Sequence, residues 1–244
     1  LIIDISKKKL FKKNNNSFSL SMGQLGKAIS ILRKHECKHI IFAGKVTTPN
    51  FSKTKFDFKA LYYLPKIIKA AKKGDASIIK SVISIFKKEG FKILNSTFFN
   101  PELLLKKGTH TKIKPDLLSK RDTLKGKNII TDLNKRDIGQ AIIIRNNYVI
   151  AIEGPEGTDA MLQRARVLLK RFPNKNKKQG ILLKFPKKNQ DLRVDLPTVG
   201  FNTIKKCLKI RLKGIVVKAN QNIFLDRSKC INFANKNKMF ISAI

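Results

Sequence analysis

The 244-residue sequence predicts an α/β protein with two mixed α/β domains joined by a linker, the first of them Rossmann-like. Three observations carry this. Helical apolar stripes alternate with short apolar runs in the first half. Between Lys106 and Lys127 the pattern lapses into a polar stretch with Gly108, Pro115 and Gly126, which reads as a boundary or linker. Beyond it a hairpin opens a second series of strands and helices. The expected domains are residues 1–114 and 115–244.

Leu25, Ala28, Ile29 and Leu32 fall at helical spacing, and the apolar run His39–Gly44 behind them reads as a buried parallel strand. It feeds the loop Gly44–Pro49, at the strand end where open α/β sheets bind ligands. Helices are expected over Lys59–Lys73 and Asp75–Lys88, stopped by Gly74 and Gly90, with Ile78, Ile79, Val82, Ile83 and Phe86 as a core stripe. Phe91–Leu94 reads as the next strand. In the second half, Ala141–Ile152 forms a hairpin turning at Asn146-Asn147, residues that accept positive φ. A helix follows, capped by Thr158 and reaching Phe172, with Met161, Leu162, Ala165, Leu168, Leu169 and Phe172 inward. Then come a strand over Gly180–Phe185, a helix that Gly200 precedes and that runs through Leu212, strands at Ile215–Lys218 and Asn222–Leu225, a helix after Asp226 and a strand over Met239–Ile244.

Composition narrows the function. Hydrophobic residues make up 42%, which suits a folded chain, and no apolar run approaches the roughly 20 residues that span a bilayer. Cys37, Cys207 and Cys230 lie far apart and read as reduced cytosolic thiols. His35, His39 and His110 are too scattered for zinc. The chain opens on Leu1 rather than Met and is read as a fragment, and Lys7–Lys13 is not followed by the apolar core of a signal peptide.

The net charge is +37, from 53 Lys+Arg against 16 acids. The basic residues are mostly Lys, spread along a chain rich in Asn and Ile, as AT-rich codons alone would produce. A basic surface favours an anionic substrate or lipid interface. The rival reading is a non-catalytic nucleic-acid-binding protein. It requires a concentrated basic face with exposed aromatics, whereas an enzyme is expected to disperse its Lys and bury most of its Phe.

In a chain so poor in acids, two clusters call for a cause. The first is Glu153-Gly154-Pro155-Glu156-Gly157-Thr158-Asp159, a strand exit and helix entry. The helix start offers N–H groups to phosphate, or the acids hold hydrated Mg²⁺; dipole-compensating capping acids explain the pattern equally well. The second runs from Gln190 to Gly200 and holds Asp191, Arg193 and Asp195. In an extended segment these three share a face and form a metal–phosphate clamp, with Lys184, Lys187 and Lys188 adding positive potential; the alternative is a structural salt bridge. Arg is scarce here, so Arg164, Arg166 and Arg193 mark places that need a bidentate fork. The sequence contains no Ser-His-Asp arrangement, Walker loop, GxGxxG fingerprint or CxxC pair.

In order along the chain stand Gly23-Gln24-Leu25-Gly26-Lys27, Phe42-Ala43-Gly44 with Pro49, Asp137-Ile138-Gly139-Gln140-Ala141, Glu153-Gly154 through Met161, and Gln190 through Gly200. Together they resemble the UDP-2,3-diacylglucosamine pyrophosphatase family of the Mg²⁺-dependent, non-metallophosphoesterase type. The resemblance covers nearly the whole chain. It implies two linked domains with substrate between them, and hydrolysis of UDP-2,3-diacylglucosamine to UMP and 2,3-diacylglucosamine 1-phosphate by water attacking the α-phosphate. That is a step of lipid A synthesis.

The resemblance also implies an essential aspartate in the second domain. Asp195 is the first choice and Asp191 the second; both are Mg²⁺ ligands in this reading, and Arg193 completes the catalytic set. Substrate contacts are expected at Gln24, Gly44, Gln140, Gly157, Thr158, Asp159 and Thr198. The expected setting is cytoplasmic, peripheral to the inner membrane, without nucleic acid and with a homodimer kept open. Two departures from the family pattern are expected: the chain reads as lacking the family's initial strand and Gly-rich loop, and Lys45 and Thr47-Thr48 stand where the family loop is richer in Gly and Arg.

Overall fold

The computed structural model describes residues 1–6, 11, 14–44, 54–72, 74–136, 138–171, 177–188 and 190–244. They fall into two compact units. The first comprises Leu1–Ser96 with Arg193–Asp195, and the second Thr97–Leu192 with Leu196–Ile244.

In the first unit, β1 (Ile2–Asp4) pairs in parallel with β2 (Ser17–Ser19). Helix α1 (Leu25–Lys34) leads to β3 (His39–Ile40). Then α2 (Phe58–Ala71) and α3 (Asp75–Lys88) precede β4 (Lys92–Ile93), the parallel partner of β3. Ile29 and Leu32 of α1 meet Ile83 and Phe86 of α3 and Phe91 and Ile93 around β4. The run expected as a strand to Gly44 is paired only over its first two residues, and Gly44 turns at φ 100°. The remainder of the Gly44–Pro49 loop, like Asp137 and Phe172, lies outside the described residues.

A single carboxylate organises two helix starts. Asp57 caps α2 by accepting from Ala60 N at 2.8 Å, and it also accepts from Lys27 N in the first turn of α1 at 3.0 Å. Burial pushes this carboxyl up, but the N–H groups outweigh burial and hold it below its ordinary value. Gly23 is required here, because a Cβ would sit 2.1 Å from Lys55 O.

In the second unit a six-stranded sheet has the order β5-β12-β10-β8-β6-β7. The strands are β5 (Gly108–Thr109), β6 (Ala141–Arg145), β7 (Tyr148–Ile152), β8 (Ile181–Lys184), β10 (Gly214–Val217) and β12 (Phe240–Ala243). A separate parallel pair joins β9 (Thr198–Val199) to β11 (Ile223–Phe224). Strands β6 and β7 form the expected hairpin, with Asn146 and Asn147 at φ 48° and 67°.

The alternation along each strand builds a three-layer sandwich. Ile143, Leu182, Ile215 and Ile241 face Met161, Leu162, Ala165, Ile204, Cys207, Cys230 and Ala234, which belong to α5 (Gly157–Leu169), α6 (Phe201–Lys209) and α7 (Arg227–Lys236). Ile142, Ile144, Ile181, Leu183 and Val216 face Ile130 of α4 (Leu117–Lys135) on the other side. Part of the stretch expected as linker is therefore helix. The inward residues of α4 are Ser119, Asp122, Gly126, Ile130 and Asn134, and a stripe so polar escapes a search for apolar periodicity.

Candidate active site

Strand β6 runs antiparallel to both β7 and β8, and β8, β10 and β12 are mutually parallel. The carboxyl ends of four strands thus share one edge, the usual ligand edge of an open α/β sheet. There the chain leaves β7 at Glu153, ends β8 at Lys184, leaves β10 at Lys218 and enters β6 through Gln140.

Glu153 is only 6% exposed, and its Oε2 accepts from Thr158 Oγ1 at 2.6 Å. Thr158 is therefore not the helix cap expected from the sequence. Helix α5 starts at Gly157, whose φ of 79° makes the turn, and Thr158 lies one residue inside with its hydroxyl committed to Glu153. Gly139 lets the two strand ends approach: at φ 56°, a Cβ there would lie 2.0 Å from Glu153 O.

The other acids of this loop are also engaged. Glu156 pairs with Arg164 at 2.8 Å, and the same guanidinium donates to Ile152 O at 2.9 Å, so Arg164 clasps both sides of the loop. Asp159 pairs with Lys206 at 2.6 Å. These contacts are those of loop architecture around a helix start.

Lys184 ends a strand buried along its whole length and is itself 7% exposed. Its ammonium donates to Thr198 O at 3.0 Å and so ties the end of β8 to the start of β9. Burial lowers its pKa, while the negative charges of Glu153 and Asp159 oppose that shift. Buried Asn222 donates to Lys184 O at 3.2 Å and accepts from Lys218 N at 3.0 Å. Gln140 accepts from Phe185 N through its backbone carbonyl, and its buried Oε1 has no hydrogen-bond partner among the described residues. An unpaired buried acceptor beside this edge is a place where a ligand donor fits. Sequence reasoning missed the linkage of Glu153, Lys184 and Asn222. Its one local signal was a Lys inside the apolar run Ile181–Phe185.

The second acidic stretch departs from its expected shape. Residues 192–194 form a turn, so the alternation that would set Asp191, Arg193 and Asp195 on one face does not apply. The turn is held by Ser96 N donating to Arg193 O at 2.6 Å and by Val194 packing on the Phe86–Phe91–Ile93 core. Arg193 and Asp195 thereby belong to the first unit and Asp191 to the second. All three are half-buried and engaged in polar interactions.

Of the remaining expected contacts, Gln24 accepts from Ser21 N at 2.8 Å and Gly44 is exposed. Thr198 is exposed, and its hydroxyl donates to Leu196 O at 3.2 Å. Among the described residues no three His, Cys, Asp or Glu gather into a metal cage. Asp191 and Asp195 each carry a carboxylate, the kind of hard oxygen donor that Mg²⁺ takes. The buried thiols are poor nucleophiles: burial pushes Cys230 up to about 11 and raises Cys207 as well. The aromatics divide, with Phe86, Phe91, Phe185, Phe224 and Phe240 buried and Phe11, Phe58, Phe98 and Phe99 exposed.

Fold and site together define a two-unit α/β protein whose second unit presents a polar, cation-bearing strand edge, a class suited to anionic ligands. Residues 2–103 match the model of the LpxI N-terminal domain and residues 106–242 that of the LpxI C-terminal domain. The chain belongs to the LpxI family. It is 34% identical over 226 residues to UDP-2,3-diacylglucosamine pyrophosphatase LpxI of Caulobacter vibrioides, covering 92% of this chain and 81% of that protein.

Proposed function

We propose that this chain hydrolyses the pyrophosphate bond of UDP-2,3-diacylglucosamine, releasing UMP and 2,3-diacylglucosamine 1-phosphate for lipid A synthesis. The observation that carries the reading is the relationship to a pyrophosphatase through both domains. The strand edge supports it: the start of α5 offers N–H groups to phosphate oxygens, and the amide of Gln140 adds a polar contact. Lys184 positions the Leu196–Thr198 backbone that follows Asp195.

In this mechanism Asp195 and Asp191 are the residues that would hold the cation and would orient or deprotonate the attacking water, and Arg193 would neutralise charge on the phosphoryl oxygens. Mg²⁺, when bound, offsets the negative charge of the pyrophosphate. The enzyme works at the cytoplasmic face of the inner membrane as a peripheral visitor, drawn by its basic surface.

The test is UMP release from UDP-2,3-diacylglucosamine in detergent micelles with Mg²⁺. Turnover is expected, with loss on chelation and recovery on adding Mg²⁺ back. Absence of UMP from folded protein overturns the reading. Asp195→Ala is expected to abolish turnover. Retained activity in Asp191→Asn then assigns the essential role to Asp195 alone, and equal loss indicates a shared cation.

A further inference from the structure

Helix α2 carries apolar side chains on its outer face as well as its inner one. Its buried residues are Ala60 and Ala70, while Phe58, Leu61, Tyr62 and Ile68 are 89, 52, 74 and 38% exposed. With exposed Pro65 these fall at positions 58, 61, 62, 65 and 68, the spacing of one helical face over nearly three turns. The other side of α2 already holds the helix in the first unit. There Tyr63 donates to Glu89 at 3.0 Å, Lys59 pairs with Glu89 at 2.6 Å and Lys66 donates to Ser84 at 2.9 Å. Folding of this unit therefore does not require the outer apolar residues, and a contiguous exposed stripe of this kind marks an interaction surface.

The charge around the stripe selects its partner. From Thr54 to Gly74 the sequence holds Lys55, Lys59, Lys66, Lys69, Lys72 and Lys73 against the single acid Asp57. Asp57 is occupied in capping α1 and α2. Lys55, Lys69 and Lys72 are exposed. Aromatic and aliphatic side chains on one face, with lysines flanking them and no free acid, match a helix lying in the plane of an anionic bilayer. The rings sit at headgroup depth and the ammonium groups reach phosphate.

We infer that the exposed face of α2 docks the protein on anionic lipid. The inference rests on the proposed reading only in that a lipid substrate has to be met at a membrane. The docking chemistry stands on α2 itself.

The chain contains no Trp, so Tyr62→Trp installs a single reporter. With the full chain, vesicles of phosphatidylglycerol and phosphatidylcholine are expected to shift its emission to the blue. Phosphatidylcholine alone should shift it far less, and salt should reverse the effect. The triple change Phe58→Ser, Leu61→Ser, Tyr62→Ser is expected to lower co-sedimentation with the anionic vesicles on the order of tenfold or more. Its UMP release from micellar substrate should remain. An unshifted reporter, or serine-substituted protein that sediments like the parent, overturns docking through α2, as does a reporter that responds to a single-stranded oligonucleotide and not to vesicles. Micellar turnover in the parent is read separately, so failure of the hydrolase reading is distinguishable from failure of docking.

Discussion

Lys184 shows how a single side chain connects packing to chemistry. A lysine 7% exposed at the end of a buried strand is held against the cost of desolvation, and its ammonium is spent on the Thr198 carbonyl. Lys184→Met keeps the volume and removes the donor. It is expected to reduce UMP turnover on the order of a hundredfold, by freeing the backbone behind Asp195, while circular dichroism remains native. Asp122 is the structural counterpart. It is 2% exposed and accepts from Asn146 N at 3.1 Å and Asn147 N at 2.6 Å, closing the hairpin turn. Asp122→Ala strands those two N–H groups and should cost about 2 kcal/mol in urea unfolding, with the strand-edge residues untouched.

At the scale of elements, α4 is attached to the sheet more through polar contacts than through an apolar stripe. Asn134 donates to Pro186 O at 2.8 Å, and Gly126 leaves room for Ile144, whose Cδ1 would lie 3.1 Å from an added Cβ. The helix start has its own pH signature. Asp116 caps α4 by accepting from Ser119 N at 2.9 Å and also pairs with Lys213. Burial pushes the Asp116 carboxyl up, but Lys213 and Ser119 outweigh it and hold it at about 2, below the ordinary 3.8. A carboxyl depressed on folding stabilises above its unfolded pKa, and that contribution is lost as pH falls through the folded value. Urea midpoints should therefore drop between about pH 4 and pH 2, and less steeply in Asp116→Asn, which still caps the helix. An equally steep drop in that variant would assign the acid limb to other carboxylates. Gly139 sits at the joint between β6 and Glu153, and Gly139→Ala forces both a positive φ and a clash with Glu153 O. Loss of at least about 2 kcal/mol is expected, with the greater damage to activity because Glu153 moves with it.

Across the whole molecule, a net charge of +37 leaves acids as the limiting resource. Several of the described acids are used as anchors. Asp57 caps α1 and α2, and Glu89, with a side chain 10% exposed, collects Arg33 and Lys59. Unbalanced lysines repel one another at low ionic strength. The melting temperature should therefore rise as salt goes from about 10 mM to about 150 mM, where the Debye length shrinks from ~30 Å to ~8 Å. A melting temperature that fell with salt would show that the ion pairs outweigh the repulsion.

What the sequence by itself determined was local and periodic: the apolar runs of β6, β8, β10 and β12, the helical stripes of α1, α3 and α5, the Asn146-Asn147 turn, and the family motifs. Each is written in neighbouring residues, where partition between water and core leaves a repeat of two or 3.6. Tertiary structure decided how the polar groups are spent. Helix α4 escaped notice because its inward side is Ser, Asp, Gly and Asn. Thr158 changed from cap to Glu153 partner because Gly157 turned the chain first. The Asp191–Asp195 segment turns because residues nearly a hundred positions away, Ser96 and the Phe91 core, take hold of Arg193 and Val194. A polar side chain has many acceptable partners, and only the folded chain brings one of them within hydrogen-bond distance.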